Sequence, residues 1–150
     1  MQTKQQIDRL IEDLRKAGLS GKYGEPSNPR WVKIWVRDDF HCVYCNAYLL
    51  ADRISLSSAQ IDHILPKSKY PQFRDLPENT VLSCFCCNQI KRAFDPLSKC
   101  TDDIAKKLSQ NNFRDYREEL IDKCRKFVNA GLEGKDNILQ RSLSAISRRY

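Results

Sequence analysis

Residues 84–91 read Cys84-Phe85-Cys86-Cys87-Asn88-Gln89-Ile90-Lys91, and residues 42–45, Cys42-Val43-Tyr44-Cys45, carry the same thiol spacing. Two residues between thiols let the backbone turn round a tetrahedral ion, with both sulfurs about 2.3 Å from it. Cys84-x-Cys86 offers a second register. The two-residue gap matches the first knuckle, so Cys42, Cys45, Cys84 and Cys87 are read as the ligands of a structural Zn²⁺. Four thiolates leave no open position for a substrate, and such a site contributes on the order of 10 kcal/mol to folding. The connection between the knuckles is too long for a minimal zinc ribbon, so something else is inserted there.

Working outward, 150 residues fit one domain, 1–150, with 41% hydrophobic and 30% charged content typical of a soluble globular chain. No apolar run approaches eighteen residues, so no membrane span is expected. Met1 to Gln6 enters a charged amphipathic stretch without an apolar signal core, which sets a reducing cytoplasm as the expected location. Seven cysteines in that setting are not a disulfide framework. The formal charge of +7 points to a polyanionic partner without saying which.

Thr3-Lys4-Gln5-Gln6 reads as a capping box, and Ile7, Leu10, Ile11 and Leu14 follow at helical spacing. This predicts a helix over about 4–17, stopped at Gly18. Gly21 to Pro29 reads as a loop. Asn28-Pro29 then opens a short helix whose Trp31, Ile34 and Trp35 are core anchors rather than a base-stacking platform. Ser55 to Ile64 has the length and apolar ends of a strand, closed by Pro66. Asn88 to Phe94 reads as the first turns of a helix, stopped by Asp95-Pro96. Thr101 caps a helical extension over about 101–150, in which an apolar stripe from Phe113 to Val128 ends near Gly131 and a last segment follows. Cys100 and Cys124 read as small buried hydrophobes, and His41 as a solvated neighbour of the first knuckle.

Between the knuckles lie Asp62-His63-Ile64-Leu65-Pro66 and an isolated Asn79. In order, the frame Cys-x-x-Cys, Asp-His-Ile-x-Pro, Asn, Cys-x-x-Cys-Asn-x-x-Lys strongly resembles the HNH endonuclease family over about residues 31–95. The resemblance implies an α+β fold: a ββα-metal core braced by the four-cysteine zinc site and flanked by N- and C-terminal α-helices. It implies that His63 is the general base, that Asn79 holds the loop that orients it, and that Asp62 and Asn88 bind the catalytic ion.

The residue chemistry agrees. Hydrolysing a phosphodiester needs a base that works near neutrality, the range of imidazole. A carboxylate and an amide are hard oxygen ligands, suited to Mg²⁺ or Mn²⁺ and leaving room for water and phosphate. Adjacent strand residues point to opposite faces, so Asp62 and His63 serve one phosphate only where the strand ends or bends. Lys67, Lys69, Arg74, Lys91 and Arg92 bracket this constellation and are read as nucleic-acid contacts. Arg148 and Arg149 read as a solvated end.

The expected function is a metal-dependent HNH endonuclease of bacterial or phage type. It would cleave double-stranded DNA to 5′-phosphate and 3′-hydroxyl ends. With one constellation per chain, cutting both strands calls for two copies, a homodimer. The alternative is a non-catalytic zinc module that binds nucleic acid or protein.

Overall fold

The computed structural model describes residues 4–19, 28 and 31–149. Thr3, Pro29 and the stretch 20–27 lie outside the described residues, and with them the cap, the loop and the Pro29 helix start expected there. Helix α1 spans Lys4–Lys16, followed by Gly18 at φ +88°, the left-handed conformation that glycine adopts without steric cost. Helix α2, Val32–Arg37, buries Val32, Ile34 and Trp35, so the aromatic face is core as its spacing predicts.

Where one strand was expected over Ser55 to Ile64, the chain forms helix α3, Arg53–Ser58, and then strand β1, Ala59–His63. Asp52 causes the difference. Its carboxylate accepts the Ser55 backbone N–H at 2.7 Å and caps a turn of helix, so the strand begins only at Ala59. Strand β2, Thr80–Cys84, pairs antiparallel with β1, from Ala59 opposite Cys84 to His63 opposite Thr80. This register puts the second knuckle at the start of β1 and His63 at its end.

Strand β2 is buried at every residue. Its outer edge is satisfied by other elements. The Leu82 N–H donates to the Asp38 carboxylate at 2.8 Å, and the Leu82 carbonyl accepts from the Val43 N–H at 2.9 Å. Arg37 donates to the Pro77 and Thr80 carbonyls at 3.0 and 2.6 Å. An exposed two-stranded sheet is marginal in water, so these contacts stabilise the hairpin as much as its own ladder does.

Helix α4, Phe85–Lys91, starts before Cys87 rather than after it, with Cys84 as its N-cap. It ends at Arg92, whose φ of +46° reverses the chain ahead of Asp95-Pro96. After the short helix α5, Asp102–Lys107, helix α6 runs unbroken from Phe113 to Ser147. Gly131 does not stop it. A Cβ at that position would lie 2.4 Å from Ile90 Cγ2, so the glycine is there because α4 and α6 approach too closely for a side chain.

Phe113, Leu120, Ile121, Cys124 and Val128 of α6 are buried against Ile64, Leu65, Val81 and Leu82. From Glu133 onward the described part of α6 is exposed on all sides, Ile138, Leu139, Leu143 and Ile146 included. None of the described helices is long and apolar enough to cross a membrane. The result is a mixed α+β core in which a two-stranded hairpin is followed directly by a helix.

Candidate active site and metal centre

Cys42, Cys45, Cys84 and Cys87 come together with all four sulfurs within 4.8 Å of one another. The first knuckle is a tight turn. Its Cys42 N–H donates to the Ala47 carbonyl at 2.9 Å, the Asn46 N–H donates to the Cys42 carbonyl at 2.8 Å, and Asn46 sits at φ +62°. The second knuckle is the junction of β2 and α4. Cys86 stays outside the group, which resolves the register in favour of Cys84 and Cys87.

Hydrogen bonds with Cys45, Cys84 and Cys87 hold the Cys42 thiol far below its ordinary range. The same contacts, led by that with Cys42, push Cys84 and Cys87 up. Cys45, raised by its contact with Cys42 but lowered by those with Cys84 and Cys87, falls to about 7, so thiolates are favoured on the first knuckle and opposed on the second. A cation at the centre removes that opposition, and four soft sulfurs are a fitting donor set for one. By contrast Cys124 is buried beside Ile64, and burial pushes its thiol up to about 12. It is packing, as expected.

The other face of the hairpin carries polar oxygen and nitrogen side chains. Asp62 is buried on β1, and its Oδ2 accepts from Tyr44 Oη at 2.7 Å and lies 3.2 Å from Lys91 Nζ. Burial and the Asp62 charge push the Tyr44 phenol well above its ordinary value, so it is a permanent donor. These contacts occupy one carboxylate oxygen and, among the described residues, leave Oδ1 without a partner. Asn88, on α4, donates from Nδ2 to Gln60 Oε1, which leaves its own Oδ1 in the same condition. Gln60 and Asp62 lie two residues apart and share one face of β1. Asn88 and Lys91 are one turn apart on α4, so the helix crosses that face with one residue opposite each.

His63 ends β1 and is half-buried. Its Nε2 lies 2.9 Å from the Arg74 carbonyl oxygen. A carbonyl only accepts, so Nε2 carries the proton and Nδ1 keeps the lone pair. Asn79 is fully buried. Its Oδ1 accepts from the Leu65 N–H at 2.8 Å, and its Nδ2 donates to the Leu65 and Phe73 carbonyls at 3.2 and 3.1 Å. Its backbone carbonyl accepts from the Ile64 N–H at 2.8 Å. One amide thereby ties both ends of the 64–79 loop to the residues that follow His63.

The basic residues divide. Lys67, Lys69, Arg74 and Arg92 are exposed, with Lys69 paired to Asp95 and Arg74 to Asp75. Lys91 is the exception to the expected groove. Its side chain is 0% exposed, and its Nζ donates to the His63 carbonyl at 2.7 Å. An enclosed ammonium does not reach a nucleic-acid backbone, so Lys91 belongs to the interior of the site. His41 bonds to the Asp39 carbonyl and packs against Tyr48, away from the metal ligands.

Sequence reasoning did not single out Tyr44, Gln60, the Arg74 carbonyl, or Asp38, whose carboxylate lies 3.5 Å from the half-buried Arg117 guanidinium. Tyr44 lies inside the first knuckle, and Gln60 lies two residues from Asp62 on a strand; those positions are the only signal the sequence carries. The Arg74 carbonyl carries no sequence signal at all.

A hairpin running into a helix, braced by four thiols and carrying a histidine and hard oxygen donors, makes an α+β core of the HNH kind. Residues 42–103 match the family model of HNH endonucleases. No curated protein and no solved structure matches the chain.

Proposed function

We propose that the protein is a divalent-metal DNA endonuclease in which His63 is the general base. The observation that carries this reading is the bond between His63 Nε2 and the Arg74 carbonyl. It fixes the tautomer with Nδ1 as the proton acceptor, and a positioned base contributes typically 10²–10⁴-fold to such a reaction. Asn79 keeps the carbonyl-bearing loop in place, so it is a positioning residue for His63.

Asp62 Oδ1 and Asn88 Oδ1 are the atoms that would hold the catalytic ion, and as unpartnered hard oxygens they suit Mg²⁺ or Mn²⁺. When bound, that ion supplies positive charge to the phosphoryl oxygens and to the departing 3′ oxygen. Nδ1 of His63 takes a proton from water as the water oxygen attacks phosphorus in line; the P–O3′ bond breaks. The products are a 5′-phosphate and, once the 3′ oxygen is protonated, a 3′-hydroxyl. Zn²⁺ in the four-thiol clamp is structural and takes no part in this step. Exposed Lys67, Lys69, Arg74 and Arg92 are the residues proposed to contact the DNA backbone.

The test uses supercoiled plasmid and the zinc-loaded protein with Mg²⁺ or Mn²⁺. The reading expects open-circle product, no product in a chelator of the added ion, and nicks that DNA ligase reseals directly. DNA retained by the protein without any nicking selects the non-catalytic module instead.

A further inference from the structure

The buried ammonium of Lys91 has no role in the proposed reaction, yet it sits at the centre of the site. Burying a lysine is costly unless it is paired and hydrogen-bonded, and here both conditions are met. Nζ lies 2.7 Å from the His63 carbonyl and 3.2 Å from Asp62 Oδ2, with the side chain wholly enclosed. Tyr44 donates to the same Oδ2 at 2.7 Å. Asp62 therefore meets a resident cation before any metal arrives, and only Oδ1 is left to bind one.

We propose that Lys91 is a positioning residue that keeps Asp62 half-neutralised, so that the catalytic ion binds weakly to the free protein and tightly only together with a DNA phosphate. The proposal rests on the reading of Asp62 as an ion ligand. A divalent ion on Oδ1 stands one carboxylate's width from the Lys91 charge, and in a partly buried site that repulsion is screened less than in water. Lys91 cannot swing away, because its second bond ties it to the backbone of His63. An arriving phosphodiester brings the negative charge that offsets the repulsion, and Mg²⁺ sites of one or two protein ligands are commonly completed by substrate phosphate. Lys91 also couples the two halves of the chemistry. One ammonium orients the ion-binding carboxylate and holds the carbonyl of the base.

The experiment is calorimetric titration of Mn²⁺ into DNA-free, zinc-loaded protein: wild type, Lys91→Met and Asp62→Asn. Methionine keeps much of the lysine stem without its charge. The expected result is Mn²⁺ binding about tenfold tighter or more in Lys91→Met, and lost in Asp62→Asn. Binding in Lys91→Met no tighter than in wild type, while Asp62→Asn abolishes it, overturns the role of Lys91 and leaves the ion ligand standing. Equal binding by Asp62→Asn and wild type overturns both. Should Lys91→Met fail to fold, the proposal is read on the slow-cutting His63→Ala protein. There a duplex oligonucleotide should raise Mn²⁺ affinity at least tenfold, after subtraction of binding to the duplex alone; an unchanged affinity overturns it.

Discussion

The four-thiol clamp and the oxygen-bearing side chains lie on opposite faces of one hairpin, and they are built on opposite plans. In the clamp, four side chains of one kind converge within 4.8 Å and every donor is committed to a single centre. On the other face each proposed ligand is half-occupied by the protein. Asp62 gives one oxygen to Tyr44 and Lys91, and Asn88 gives its amide nitrogen to Gln60. The first plan makes a closed group of soft donors, which suits a structural ion. The second leaves one hard oxygen per residue, which suits an ion that must also accept water and phosphate.

That contrast can be broken most forcefully at the clamp. Replacing Cys42 or Cys87 with serine should abolish the bound Zn²⁺, measured by elemental analysis. It should also remove stabilisation on the order of 10 kcal/mol, enough to unfold a domain of ordinary stability. Cys86→Ser and Cys100→Ser should keep one zinc per chain and a cooperative transition. Loss of metal from Cys86→Ser would return the register to Cys84-x-Cys86.

A smaller effect is expected at the loop between the two regions. Asn79→Ala leaves buried backbone groups of Leu65 and Phe73 unpaired, at about 1–3 kcal/mol for each group that finds no other partner. Denaturant unfolding should show that loss, and cleavage should fall with it, because His63 loses the loop behind its ring. Zinc content should not change. Gly131→Ala comes next. Its Cβ must displace Ile90 on α4, at about 1–3 kcal/mol, without touching any proposed ligand.

The smallest effects belong to the surface. Lys67 is exposed, while Lys69 is held by Asp95. Lys67→Gln should lower the salt dependence of DNA binding by about one unit of log–log slope. Lys69→Gln should lower it by less. Equal slopes for both variants would mean that the Lys69–Asp95 pair opens on DNA.

The four-cysteine group was legible because two pairs of thiols at one fixed spacing admit few other readings. The helix over Lys4–Lys16 was legible from its spacing although none of its residues is buried, and the buried face of Val32–Arg37 from the spacing of Ile34 and Trp35. The failures have physical causes. Asp52 turned the first half of an expected strand into helix through one side-chain bond. Gly131 was noted only as the end of the apolar stripe, because a sequence does not show that α4 crosses α6 closely there. Lys91 was read as surface charge, because a sequence does not reveal that a carboxylate and a carbonyl wait inside for an ammonium. The partners of His63 and Asp62 were illegible for a related reason. A backbone carbonyl and a tyrosine within a metal knuckle acquire their roles only through the register of β1 on β2.

The most direct test of the account is single-turnover cleavage of a nicked-site duplex by zinc-loaded wild type and His63→Ala at saturating Mn²⁺. His63 is half-buried and takes no part in the clamp, so the variant should keep its zinc and its fold. Its rate should fall by about 10²–10⁴-fold, and added imidazole should restore part of it. A His63→Ala protein that cuts at the wild-type rate would contradict the assignment of His63 as the base.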